Sequence, residues 1–166
     1  MSPTIIQQIQ LSGYSYRGQI INDLIHLERL MDEFLSRHFC NDSERKKEFF
    51  ELIIANERMS FNSKIQVFEY VLKKHHNQIV IEYPDIFSDI KKLNEERNIV
   101  AHYLLDTSTD GIKMYEEFQK IGFVKFRNST ESLPRNNDDI NKWKTLTKKY
   151  IRMLEDFLTI DINKKP

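Results

Sequence analysis

The chain has 166 residues, of which 40% are hydrophobic and 30% charged. This is an ordinary globular mixture with room for one core, so we expect a single domain over 1–166 with a ragged end from Asn163 to Pro166. Twenty-five basic residues balance twenty-five acidic ones. No global positive field therefore draws the chain onto nucleic acid, and any RNA contact must come from a local patch or from one built by pairing two copies.

The single cysteine, Cys40, cannot form an internal disulfide and suits a reducing cytosol. No basic region followed by a long apolar run opens the sequence, and no stretch approaches the roughly 18 apolar residues of a membrane span. The expectation is a cytoplasmic protein without membrane contact. Gly13, Gly18, Gly111 and Gly122 are too scattered to assemble a glycine-rich phosphate loop, which removes P-loop and dinucleotide-binding folds.

In chain order, the first strong helix is expected from about Tyr16 to His38, where Ile20, Ile21, Leu24, Leu27, Met31, Phe34 and Leu35 recur at three- and four-residue steps. A second helix starts near Ser43, read as its N-cap, and carries Phe49, Phe50, Leu52 and Ile53. After a break at Met59 to Asn62, a third helix turns Ile65, Phe68, Val71 and Leu72 inward and ends near His75. Pro84 opens a fourth helix, because proline suits a first turn. Its inward stripe reads Ile86, Ile90, Leu93, then Arg97, then Val100 or Ala101, then Leu104. An arginine thus stands where the pattern asks for an apolar side chain.

Beyond Asp106 the rhythm changes. Thr107 to Gly111 reads as a turn, and Ile112 to Tyr115 with Gly122 to Phe126 read as the strands of a β-hairpin. Asn128 to Asn137 is expected to be a loop. Asp138 or Asp139 then caps a last helix striped by Ile140, Trp143, Leu146, Tyr150, Leu154, Phe157 and Leu158. The fold class is therefore all-α: a bundle of about five helices with a small β-hairpin before the last one.

The residues able to carry chemistry lie on the fourth helix. At about 100° per residue, taking Arg97 as zero, Ala101 falls near 40°, Asn98 near 100° and His102 near 140°. The guanidinium and the imidazole flank an arc that also holds an amide and a small residue, over which a ligand can come close. The alternative is structural. An arginine beside an apolar stripe commonly snorkels or pairs with a carboxylate, for which Glu96, Asp106, Asp32 and Glu33 are candidates. A histidine in such a setting is commonly a packing residue.

The stretch Glu96-Arg97-Asn98-Ile99-Val100-Ala101-His102 resembles the signature of HEPN domains, a helical superfamily whose motif is Arg, four to six residues, then His, often with a polar residue directly after the Arg. The motif sits on the fourth long helix, as in that superfamily. Ser60-Phe61-Asn62-Ser63-Lys64-Ile65 is also similar in style to HEPN proteins of bacterial defence loci. The resemblance covers about Tyr16 to His102 and implies a HEPN-like bundle, a homodimer, and metal-independent RNA cleavage with Arg97 and His102 as the catalytic pair and Asn98 assisting.

It also implies a defence or toxin–antitoxin setting with an antitoxin or regulatory protein as partner, and no cofactor. The alternative within it is a non-catalytic HEPN-like module that binds a nucleotide or a partner protein. HEPN toxins regulated by AMP transfer carry the acceptor tyrosine two places after the histidine. Here Leu104 holds that place and Tyr103 precedes it, so the resemblance does not extend to AMP transfer.

The chemistry can be reasoned independently. RNA cleavage without metal uses the neighbouring 2′-hydroxyl as nucleophile and needs one group to take its proton and another to protonate the departing 5′-oxygen. Histidine, with an ordinary pKa of about 6.5, serves either role near neutrality. Arginine holds the phosphate in bidentate fashion and stabilises the charge of the transition state.

Other residues have both a structural and a functional reading. Tyr103 either packs or contacts substrate. Tyr14, Tyr16 and Arg17 either pin the entrance of the first helix or stack a base beside a phosphate contact. Arg45, Lys46 and Lys47, and Lys142, Lys144, Lys148 and Lys149, read as solvated helix faces, and Trp143 as core. His26, His38, His75 and His76 lack partners at ligand spacing, and adjacent helical histidines diverge by about 100°, so no metal site is expected. Cys40 reads as a buried or half-buried filler.

Overall fold

A computed structural model describes residues 3–55, 59–125 and 132–162. The expected fold class is borne out: the chain is mainly helical, with a small antiparallel sheet before the last helix. In order, the described elements are α1 (Ile5–Phe39), α2 (Ser43–Phe49), a π-helical turn (Phe50–Ile54), α3 (Phe61–His75), α4 (Asn77–Glu82), α5 (Ile86–His102), β1 (Tyr103–Leu105), α6 (Thr109–Phe118), β2 (Ile121–Lys125), β3 (Ser132–Arg135) and α7 (Asn137–Ile162). No helix among the described residues is long and apolar enough to cross a membrane. The expected ragged end at Asn163 to Pro166 lies outside the described residues.

The chain divides into two compact units, one of Met1–Asp23 with Glu95–Thr145 and one of Leu24–Asn94 with Leu146–Pro166. In the first unit, α1 begins eleven residues earlier than its stripe predicts. Thr4 and Gln7 explain the start: the Thr4 N–H donates to Gln7 Oε1 (2.8 Å) and the Gln7 N–H to Thr4 Oγ1 (3.3 Å), a reciprocal cap. Ile9, Gly13, Tyr16 and Ile20 then continue the buried line toward the N-terminus. Gly13 sits where a Cβ would run into the Leu105 side chain of β1.

The sheet has the order β1-β2-β3, all antiparallel, with Tyr103 opposite Lys125, Leu105 opposite Phe123, and Gly122 opposite Pro134. Phe123 is fully buried and meets the Tyr16 ring edge-on at 6.0 Å. The strand expected at Ile112 to Tyr115 is instead helix α6. The reason is local: Ser108 is an N-cap, its Oγ accepting from the Gly111 N–H (3.2 Å), while Asp106 Oδ1 accepts from the Ser108 N–H and Oγ–H (3.1 and 2.6 Å). The residues read as a turn thus begin a helix, which stops at Gln119 in the left-handed conformation (φ 53°).

The expected strand from Gly122 to Phe126 is observed as β2, its last residue lying outside the described residues. Its partner is β3, drawn from the span expected as loop, of which 128–131 lie outside the described residues. Asn136, rather than Asp138 or Asp139, caps α7: it exchanges hydrogen bonds with Asp139 (3.0 and 2.9 Å).

The second unit holds the larger apolar core. Leu27, Met31, Phe34 and Leu35 of α1 are buried, as are Ile65, Phe68, Val71 and Leu72 of α3, Ile86, Ile90 and Leu93 of α5, and Tyr150, Leu154 and Leu158 of α7. Asp42, not Ser43, caps α2, accepting from the Glu44 and Arg45 N–H groups. Ser60 caps α3 through Ser63. Lys64 is buried in this unit and donates to Glu28 (2.7 Å) and Asp32 (2.8 Å). Burial pushes the Asp32 carboxyl up to about 6, against the lowering pull of Lys64.

Candidate active site

Helix α5 carries a buried charge, but not the expected one. After Leu93 the inward stripe takes a three-residue step to Glu96 and then a four-residue step to Val100. Glu96 is 2% exposed and Val100 fully buried. Arg97 is half-buried at the flank of that face. The helical period permits a step of three or four, and Glu96 can take the inward place because its charge is met there. Arg135 of β3 grips it in bidentate fashion, Nε to Oε1 at 2.7 Å and Nη2 to Oε2 at 2.8 Å. The Tyr16 hydroxyl donates to Oε1 at 2.6 Å. Burial and the adjoining carboxylate hold the Tyr16 phenol far above its ordinary range, and the Glu96 hydrogen bonds raise Arg135.

The acids considered as partners of Arg97 are all engaged elsewhere: Glu96 with Arg135, Asp106 with Ser108, Asp32 with Lys64, and Glu33 with Arg37 and Lys46. Among the described residues, the side chains of Arg97, Asn98 and His102 have no hydrogen-bond or ion-pair partner. Asn98, Ala101 and His102 are exposed. The arc of about 140° from Arg97 through Ala101 and Asn98 to His102 is therefore accessible along its length. His102 ends α5, and the chain passes straight into β1.

Tyr103 and Arg17 adjoin this end of the helix. Arg17 Nη2 donates to the Tyr103 carbonyl at 2.8 Å, and its Nε is buried without a hydrogen-bond partner among the described residues. Tyr16 serves differently from either sequence reading. It lies mid-helix, 2% exposed and bonded to Glu96, so it neither guards a helix entrance nor offers a face for base stacking. Tyr14 is exposed. Trp143, expected in the core, is half-buried, and Lys142 Nζ lies 5.5 Å from its ring centroid.

Sequence reasoning missed Arg135, and considered Glu96 only as a partner of Arg97. Arg135 lies in a stretch that reads as loop, and its partner is 39 residues away.

In the second unit, His38 and His76 approach within 3.3 Å, Nδ1 to Nε2, and the His75 ring lies 4.8 Å from that of His38. The divergence expected of adjacent helical histidines does not apply, because His76 has left the helical conformation (φ −133°, ψ 41°). Burial and the neighbouring His75 lower the His38 pKa. Among the described residues, no group of three or more His, Cys, Asp or Glu is arranged to hold a metal ion. Cys40 is half-buried.

No protein-family model, curated protein or solved structure matches this chain.

Proposed function

We propose that the chain is a HEPN-type endoribonuclease that cuts RNA without metal, as a homodimer. The observation that carries this reading is the free arc of α5. Glu96 is neutralised by Arg135, leaving the adjacent Arg97 without a partner among the described residues, on the same accessible arc as Asn98 and His102. A guanidinium placed only for structure would be expected to pair with a carboxylate, and among the described residues Arg97 has no such partner.

In this reading Arg97 holds the scissile phosphate with two parallel N–H···O bonds, and Asn98 donates a further one. The 2′-oxygen attacks phosphorus as a histidine takes its proton. The P–O5′ bond breaks, and a second, protonated histidine gives its proton to the 5′-oxygen. The products are a 2′,3′-cyclic phosphate and a 5′-hydroxyl. One chain supplies one such histidine, so a two-fold dimer provides both the acid and the base, and doubles the local positive charge of a neutral chain.

The test is digestion of labelled single-stranded RNA at pH 6–8 in the presence of chelator, with end-group analysis. Cyclic phosphate ends that disappear in Arg97→Ala and His102→Ala, with the circular dichroism spectrum and oligomeric state unchanged, are the expected result. Wild type that leaves varied RNAs intact overturns the nuclease. RNA held without being cut points to the binding module instead.

A further inference from the structure

We infer that Tyr103 and Lys125 form a nucleotide subsite beside His102, in which an unpaired base stacks on the Tyr103 ring and Lys125 meets the adjoining phosphate. This rests on the nuclease reading for its choice of ligand, but its geometry is independent of it. Tyr103 and Lys125 are direct cross-strand partners. The Asp106 N–H donates to the Gly122 carbonyl at 2.9 Å, which fixes the alternation of the β1–β2 ladder. By that alternation Tyr103 and Lys125 form a pair without hydrogen bonds between them. In such pairs the two side chains share a face and their Cβ atoms lie about 4.5–5.5 Å apart.

The same alternation turns the Tyr103 carbonyl away from β2, toward the open edge of the sheet. There Arg17 Nη2 takes it at 2.8 Å. Arg17 therefore anchors the backbone that carries Tyr103 and directly follows His102. Lys125 is exposed. The Tyr103 ring is half-buried, and among the described residues its hydroxyl has no hydrogen-bond partner.

An aromatic side chain paired across the strands with a lysine, one residue from the proposed acid–base group, offers a single strand both a stacking face and a cation. A duplex offers no free base face, so the occupant is single-stranded RNA.

The experiment uses the full His102→Ala chain, which leaves RNA uncut, and a fluorescein-labelled ten-nucleotide single strand followed by anisotropy from low to moderate salt. Tyr103→Ala is expected to weaken binding about tenfold while Tyr103→Phe retains it, because stacking needs the ring and not the hydroxyl. Lys125→Ala should lower the slope of log affinity against log salt by about 0.7, the share of one phosphate contact on a single strand. Where Tyr103→Ala fails to fold, the exposed Lys125 carries the test alone. Tyr103→Ala and Lys125→Ala variants that bind as the parent does overturn the subsite. If the wild-type chain still cleaves in that case, the nuclease reading stands without it. Weakened binding by these variants with no cleavage by wild type supports the subsite and removes the nuclease.

Discussion

Replacing Arg135 by methionine keeps most of the side-chain stem and removes the guanidinium from a carboxylate that is almost wholly out of water. The Glu96 side chain is 2% exposed and that of Arg135 16%. Breaking such a buried pair from one side costs about 3–5 kcal/mol, most of it the burden of the orphaned charge. The Tyr16 hydroxyl still donates to Glu96, so the lower end applies, about 3 kcal/mol. At about 2–4 °C per kcal/mol for a chain of this size, the melting temperature should fall by roughly 6–12 °C. Arg97→Met removes a side chain with no partner among the described residues and should cost within about 0.5 kcal/mol. Urea titration followed by far-ultraviolet circular dichroism measures both. Arg97→Met as damaging as Arg135→Met, or an Arg135→Met deficit under about 1 kcal/mol, would refute the assignment of the structural arginine.

Two further outcomes follow from the packing. A Cβ at Gly111 would lie 2.5 Å from the Asp106 carbonyl oxygen, whereas nothing lies within 4 Å of one at Gly18. Gly111→Ala should therefore destabilise by about 1–3 kcal/mol, and Gly18→Ala, in an exposed helical position, should stabilise by about 0.5–1 kcal/mol; thermal scans of the two variants read both signs. The His38 pKa is lowered in the folded state by burial and then by His75. The unfolded chain thus binds the extra proton first, and stability is complete above about 6.5 and declines as pH falls below it. His38→Gln should flatten that acid-side decline between about pH 7 and 5, and an unchanged pH profile would count against the role of His38.

The helices were legible where apolar residues recur at three- and four-residue steps through a long segment. α3 and α7 and the later part of α1 follow directly from that rhythm. The start of α1 was not, because Gln7, Gln8, Gln10, Ser12 and Gly13 dilute the stripe. Gly13 is there for a contact, the approach of Leu105, that no local pattern reveals. α6 was hidden for the opposite reason: Ser108, Thr109, Asp110 and Gly111 are turn formers that here cap a helix. β3 contains Pro134, which an edge strand tolerates and a sequence reading takes as a strand breaker.

The candidate site turned on a finer ambiguity. After Leu93 the stripe could step to 96 or to 97, and composition favoured neither, since both residues are charged. The choice is made by Arg135 and Tyr16, which arrive from β3 and α1 and supply three hydrogen bonds to Glu96. Because that pairing is long-range, it was invisible in the motif itself. Its consequence is local: with the inward position held by a satisfied carboxylate, the next residue rotates by about 100° to the edge of the face. The guanidinium of Arg97 is thereby kept out of the core and available to an anion, while the rigid pair beneath it fixes the helix that carries Asn98 and His102.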